Sequence, residues 1–578
     1  MGLIIQTCRK VLSKIYKLFF IVFLFFINNN SFSQNFNEYE KHGIKGKNFE
    51  YENLEPLYIG NFLSSIIASK NKDYKSFLSF SEKALKSKSN NVELLENAFW
   101  ANIYLGDINR ALEIISDIEL ISDEHNQDFL YPTIIELIRR NELSSAVEIS
   151  YLLGLEEHNV FIKNMLQIWD HVFKSQRASA ISKLKNYTIS TKKNSDLYFY
   201  LKVQSLIIYA YFDEYSGVIK ELQELQKNIN NVPSRFYIPI ANIIYNKIDE
   251  EKAKSFLRAS LPKNLDLEIA IKSLAEKDSF DPLRLLSEVF YESGYIIARS
   301  DGFLKSIPQF WFSLYLNDSN QSSRLILSSF FSEVNQDDIA LEILKNNKSK
   351  SSSWIIFEFE KSYILEKTGN IDLAISIIEK VSNYKNFRNK ALIRISNIYR
   401  RNNDYKKSME ILDEIDFSRT VSPEVFYYRS LNLVLLKDWK NAIESFDTLL
   451  EKYPNNPEIS NFVGYTLVDR NIRLDEGIDL IQFAVSKEPQ NGFFLDSLGW
   501  AFYKLNDFKK AIIYLERAIE LEPQEMEITD HLGDAYFKVD RKKEAKLVWE
   551  RALSLNGNKD LLNKIKKKLE TNFNYSKK

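Results

Sequence analysis

Five histidines, one cysteine and a scatter of paired carboxylates are the side chains of this 578-residue chain that could hold a metal, move a proton or attack a substrate. His42, His125, His158, His171 and His531 show none of the close spacing that lets two imidazoles share a zinc ion on one helix face, and Cys8 lies near the N-terminus, far from any of them. The run Gly43-Ile44-Lys45-Gly46-Lys47 has the residue types of a phosphate-cradling loop, but its spacing is wrong, it lacks the Ser or Thr that would bind magnesium, and no strand precedes it. Glu156-Glu157 and Asp337-Asp338 sit where helices begin, and carboxylates there complement the helix dipole and face water. His531, between Asp530 and Gly533, reads as a packed or solvated side chain. The sequence therefore predicts no enzyme, no cofactor and no metal. A formal net charge of −1 supplies no pull toward nucleic acid.

What recurs is a small residue. Ala340, Ala374, Ser408, Ala442, Gly477, Ala511 and Ala545 follow one another at spacings of 34, 34, 34, 35, 34 and 34. Near the C-terminus the companions recur too: Gly499, Phe502, Leu515 and Ala518 come back as Gly533, Tyr536, Trp549 and Ala552. Two antiparallel helices approach closely only where small side chains meet, which explains Gly499 on one helix and Ala511 on the next. Four residues before most rungs stands a helix-capping residue: Asp73, Asp107, Asp249, Asn370, Asp404, Asp438 and Asp507. Pro454, Pro489 and Pro523 lie 12 residues past their rungs, where a ring without an N–H stops a helix. With 12 Pro and 16 Gly among 578 residues, breakers are scarce and the chain must be mostly helical; 40 Phe and 31 Tyr supply the inter-helix core.

A helix-turn-helix unit repeating every 34 residues resembles the tetratricopeptide repeat. The resemblance implies an all-α chain, an α-solenoid in which about 12 to 14 units stack into a right-handed superhelix. Earlier rungs at Phe77, Ala111, Ala146 and Ala180 are in phase; Gly217, Ala253 and Ser306 continue the ladder at looser spacing. In the family the first helix of each unit lines a concave groove. The matching positions here are Phe359 and Tyr363, Tyr427, Tyr465, Asp496, Trp500 and Tyr503, then Asp530, Asp534 and Lys538. Rings beside carboxylates suit an extended peptide, or else the rings pack between neighbouring units. Lys390, Asn397, Arg400 and Arg401 suggest the clamp by which some relatives grip acidic C-terminal tails, but Ile393 and Tyr427 stand at clamp positions.

The segments N-F-V-G-Y-T-L-V-D-R, D-S-L-G-W-A-F-Y-K-L and D-H-L-G-D-A-Y-F-K-V are similar to exported tetratricopeptide proteins of proteobacteria, particularly alphaproteobacteria, as is the stretch from Glu82 to Phe99. Relatives in that broad group include outer-membrane lipoproteins that act as adaptors, bringing periplasmic proteases to cell-wall hydrolases or assisting envelope assembly, and this chain departs from them in lacking a lipidated cysteine. The N-terminus agrees with export: Arg9, Lys10, Lys14 and Lys17 precede an apolar run from Leu18 to Ile27, and Ser31-Phe32-Ser33 offers a cleavage site. Ten apolar residues fall short of the roughly 20 that span a bilayer, which weighs against an uncleaved anchor. Cys8 precedes the run and is not placed for lipid modification.

These features predict a signal peptide at 1–33, a flexible linker at 34–55, divergent repeats at 56–260, an irregular insertion at 261–281 that is a hinge, a contact loop or a tolerated irregularity, a regular array at 282–557, and a Lys-rich capping helix and tail at 558–578. The expected function is a non-enzymatic scaffold or adaptor of a Gram-negative envelope. Its partners would be proteins or extended peptides, such as a periplasmic protease or cell-wall hydrolase, with membrane contact at most peripheral. The alternatives are a structural subunit of an outer-membrane, secretion or polysaccharide-export assembly, and the recognition part of an envelope transferase or hydrolase.

Overall fold

The carboxylates of Asp73, Asp107, Asp249, Asp404, Asp438 and Asp507 each accept the backbone N–H three residues on, at 2.8 to 3.4 Å, so the second helix of each hairpin starts from the same cap. The residue before the cap is left-handed in nearly every turn, as at Lys72, Asn403, Lys437 and Asn506. At Gly106 (φ +81°) a side chain would also strike the ring of Trp311. Helix ends are equally local: helices finish at Lys452, Lys487 and Leu521, two residues before Pro454, Pro489 and Pro523.

The computed structural model describes residues 56–87, 92–119, 129–193, 195–275, 280–345, 352–415, 423–555 and 559–573, so the expected signal peptide and linker lie outside the described residues. Among the described residues there are thirty α-helices and no strand, and the chain is an α-solenoid of helical hairpins. Fourteen helix pairs follow one another, with one short helix, Leu267–Lys272, and the last helix, Lys559–Phe573, left over. The rungs are enclosed: Ala111, Ala146, Ala180, Ala340, Ala374, Ser408, Ala442, Ala511 and Ala545 have no exposed surface. A Cβ on Gly464 would sit 2.6 Å from the Gly477 carbonyl, and one on Gly499 2.7 Å from Leu515, which is why these crossings take glycine.

The structure departs from the expected ladder at Gly217. That residue is half-exposed beneath the Tyr209 ring, while Val218 is buried and takes the backbone bond to Glu214 that other rungs take to their caps. The rung is Val218, one residue later, because Glu214 rather than an aspartate starts the helix. The stretch 261–281 holds the extra helix Leu267–Lys272, capped by Asp266 and followed by a 3-10 turn. Asp266 is fixed there by its N–H to the Ser352 carbonyl (2.8 Å) and by the Trp354 indole (3.3 Å).

The described residues fall into two compact units that divide between Ile377 and Ile378, inside the stretch 282–557 that the sequence treats as one array. The reason lies in the first unit, which folds back on itself. The helices Val92–Leu105, Leu130–Arg139 and Glu157–Phe173 are first helices of their hairpins, and a simple solenoid would leave them lining a groove. Instead they are covered by Pro282–Ser300 and Phe303–Leu316. Trp311 donates to the Tyr104 carbonyl (2.9 Å), and Tyr315 donates to Asn109 (2.6 Å) and Glu136 (3.1 Å) while Arg139 lies over its ring. Arg299 binds Asp196 at 2.7 Å. The fold-back closes at its edge where Lys75 meets Asp338, Gln336 meets the Lys72 carbonyl, and Tyr74 meets Phe331 edge-on at 6.0 Å. One contiguous core runs from Phe62 to Leu316. Inside it Arg235 pairs with Glu288 (3.3 Å) and Glu292, and burial pushes the Glu292 carboxyl up to about 7.

Replacing Trp311 by Ala removes a half-buried ring and the donor to Tyr104, at an expected cost of about 2 kcal/mol to the first unit. Hydrogen exchange should accelerate across residues 92–119 and 303–316 and stay unchanged across 457–573. Unchanged exchange in the first two stretches would show that the fold-back does not depend on this ring.

Candidate functional site

In the second unit the helices Pro457–Asp469, Gly492–Lys504 and Met526–Lys538 are the first helices of three successive hairpins, and Lys559–Phe573 occupies the next such place. The 34-residue register therefore aligns side chains across them. Asn461, Asp496 and Asp530 each stand three residues before the crossing glycine; Tyr465, Trp500 and Asp534 each stand one after it, and Lys568 follows Asp534 by 34.

Around Trp500 these positions converge. Its ring stacks on Tyr503 (4.7 Å, 5° between planes) and on His531 (4.1 Å, 17°). Its indole N–H donates to Asp469 Oδ1 at 3.3 Å. Lys504 Nζ binds the Asp469 carbonyl at 2.8 Å and lies 5.4 Å from the Trp500 ring. His531 Nδ1 meets Asp496 Oδ1 at 2.9 Å, and Lys568 reaches both carboxylates of the last repeat, Asp530 at 2.8 Å and Asp534 at 2.6 Å. Burial works to lower the His531 pKa, but the Asp496 charge and hydrogen bond outweigh it and lift the imidazole to about 9. Glu527, 5 % exposed, is pushed up to about 7, first by burial and then by its carboxylate neighbours. Burial and the Asp530 charge raise Asp534 as well.

Of the ten residues the sequence assigned to a groove, five come together here: Asp496, Trp500, Tyr503, Asp530 and Asp534. Three others take different roles. Tyr465 is not surface: it is 4 % exposed, sits in the core and is hydrogen-bonded to Glu527. Tyr427 packs edge-on against Phe462 of the next hairpin at 4.8 Å, which is inter-repeat packing. Lys538 is exposed. Phe359 and Tyr363 belong to the first unit, where their half-buried rings lie 6.5 Å apart. In the basic cluster Arg400 bonds Asn397 at 3.3 Å and lies over the Tyr428 ring. Asp469, Lys504, Glu527, His531 and Lys568 are the members that sequence reasoning missed or set aside. For Lys568 a signal existed, its place one period beyond Asp534.

The geometry defines a helical-repeat scaffold with an aromatic and acidic patch. Residues 424–456 and 493–525 match models of the tetratricopeptide repeat. A TPR repeat-containing protein of Pseudomonas aeruginosa is 24% identical over 161 residues, and the chain spans 27% of that relative's length with 28% of its own. Among solved structures, MamA of Desulfovibrio magneticus RS-1 is 23% identical, covering 29% of this chain and 94% of that one, with a TM-score of 0.26. A thermophilic TPR protein of Thermus thermophilus is 19% identical, covering 31% and 98%, with a TM-score of 0.29. The chain thus carries two segments that match the tetratricopeptide repeat, within an array of helical hairpins.

His531 and Glu527 both bind protons more tightly folded than unfolded, so the stability they add is complete at low pH and drains as pH rises. For Glu527 the loss runs from about 4.5 to 7 and for His531 from about 6.5 to 9. Urea unfolding of the second unit should therefore give a lower midpoint at pH 9 than at pH 6.5, with His531 contributing on the order of 1–3 kcal/mol. His531→Asn should flatten that dependence; an unchanged slope would refute the Asp496 pairing as its source.

Proposed function

We propose that this chain is a non-enzymatic scaffold of the bacterial cell envelope that holds a protein partner on the second unit and presents it to another envelope protein. The observation that carries the reading is the Tyr503, Trp500 and His531 stack ringed by Asp469, Asp496, Asp530 and Asp534, all on three successive first helices. The half-buried rings of Trp500 and Tyr503 offer aromatic contact at low entropic cost, and the carboxylates give direction to what binds. The covered first helices of the first unit support assigning the partner to the second. The envelope setting rests on the basic and apolar leader, and the supply of proximity rather than chemistry rests on the lack of a catalytic constellation in the sequence.

The test is affinity capture by residues 34–578 from crosslinked envelope fractions, with a Trp500→Ala, Tyr503→Ala chain as control. A protease or cell-wall hydrolase enriched by the native chain and lost with the variant is the expected result. Equal recovery of one partner set by both chains, at matching circular dichroism, would sink this surface; an outer-membrane export complex in both would establish a structural subunit instead.

A further inference from the structure

The first unit closes on itself where two turns meet. One joins the helices Pro56–Lys70 and Tyr74–Ser87, and the other joins Gln321–Glu333 and Asp337–Lys345. In the second turn Gln336 stands four residues before the rung Ala340, the place that Asp73, Asp107, Asp249, Asp404, Asp438 and Asp507 hold before theirs. Those aspartates cap their own helices. Gln336 does not: its Nε2 donates to the Lys72 carbonyl in the opposite turn, 264 positions away, and its Oε1 is buried without a donor. The side chain placed to start its own helix is spent on a distant turn instead, and the helix Asp337–Lys345 gains no cap from it.

The rest of this joint is small and separate from the main core. Tyr74, 3 % exposed, stacks on Tyr104 at 4.9 Å on its own side and meets Phe330 and Phe331 at 6.0 Å across the joint. Tyr74, Phe77, Phe330 and Phe331 are buried, yet they lie outside the contiguous core that runs from Phe62 to Leu316. None of the described residues of Gln321–Glu333 and Asp337–Lys345 belongs to that core. At the rim Lys75 pairs with Asp338, both 60 % exposed, and an ion pair so solvated adds little. The joint borders the fold-back, because the Trp311 ring that donates to Tyr104 lies 6.2 Å from Phe331.

We propose that this joint is a clasp: the first unit opens and shuts here as a step of its own, with Gln336 as the fastening, while the contiguous core stays folded. Opening parts Gln336 from Lys72 and bares the rings of Tyr74, Phe330 and Phe331. A region with few buried contacts opens at lower free energy than the core of the same protein, and this one is held by three rings and one amide. The device is independent of the partner surface on the second unit.

Thiol labelling of residues 34–578 tests this, since that stretch contains no cysteine. Two single reporters are compared, Phe330→Cys in the joint and Val289→Cys in the contiguous core, each with Gln336 intact and with Gln336→Glu, which keeps the shape but cannot donate to a carbonyl when ionised. Gln336→Glu should speed maleimide reaction at the joint reporter about tenfold and leave the core reporter unchanged. Gln336→Asp, too short to reach Lys72 but able to cap its own helix, should speed the joint reporter equally without lowering the melting temperature. Low urea should raise the rate less steeply at the joint than in the core, because less surface is exposed. Joint rates that ignore both substitutions, or joint and core reporters that accelerate together, would overturn the clasp. Acceleration by 0.5 M sodium chloride as large as that of Gln336→Glu would make the Lys75–Asp338 pair the fastening and overturn the assignment to Gln336.

Discussion

The approach of the two helices in a hairpin of the second unit is set by what is missing between them. At Gly464 and Gly477 each glycine lies against the other's carbonyl, and at Gly499 and Ala511 the gap admits a hydrogen and a methyl group. That near-contact fixes the crossing of each hairpin, and the crossing fixes where the rest of the first helix points. Repeated every 34 residues, it puts position three before the glycine and position one after it into rows. The site is made of those rows: Asn461, Asp496 and Asp530 in one, and Tyr465, Trp500, Asp534 and Lys568 in the other. No separate device assembles the patch.

The two units use the same hairpin to different ends. In the first, Phe303–Leu316 turns its aromatic face onto earlier first helices, so Trp311 and Tyr315 spend their donors on Tyr104, Asn109 and Glu136. In the second, Trp500 stacks on Tyr503 and on His531, and the aspartates beside them pair with Arg470, Lys504, His531 and Lys568. Buried charge appears in both. Arg235 donates to both Glu288 and Glu292, whereas one oxygen of Asp496 is buried without a donor.

The rungs, aspartate caps and stopping prolines were legible in the chain because each acts within a few residues of itself. Gly217 misled because glycine is the expected crossing residue, yet a local shift to Glu214 as cap moved the rung to Val218. The fold-back was not legible: Trp311 and Tyr104 are 207 positions apart, and nothing in the helix Phe303–Leu316 distinguishes a face that meets its own repeat from one that meets a distant one. In the site, register alone found Asp496, Trp500, Tyr503, Asp530 and Asp534. It could not rank Tyr465 as core or Tyr427 as packing, since both share a phase with Trp500 or Asp496. Lys568 escaped because the last helix keeps the period but has lost the rung motif.

The pairing of Gln336 with Lys72, across 264 residues, carries a consequence for how the chain comes into being. The second unit is built of neighbours touching neighbours, so its hairpins can form one after another in any order as they emerge. The first cannot close until Asp338 has arrived to meet Lys75, and closing so long a loop is slow. Until then the helices Val92–Leu105 and Leu130–Arg139 wait with their apolar faces uncovered. The early helices of the first unit thus stand open until the chain has grown past Asp338, and that interval is when they most need protection from other chains.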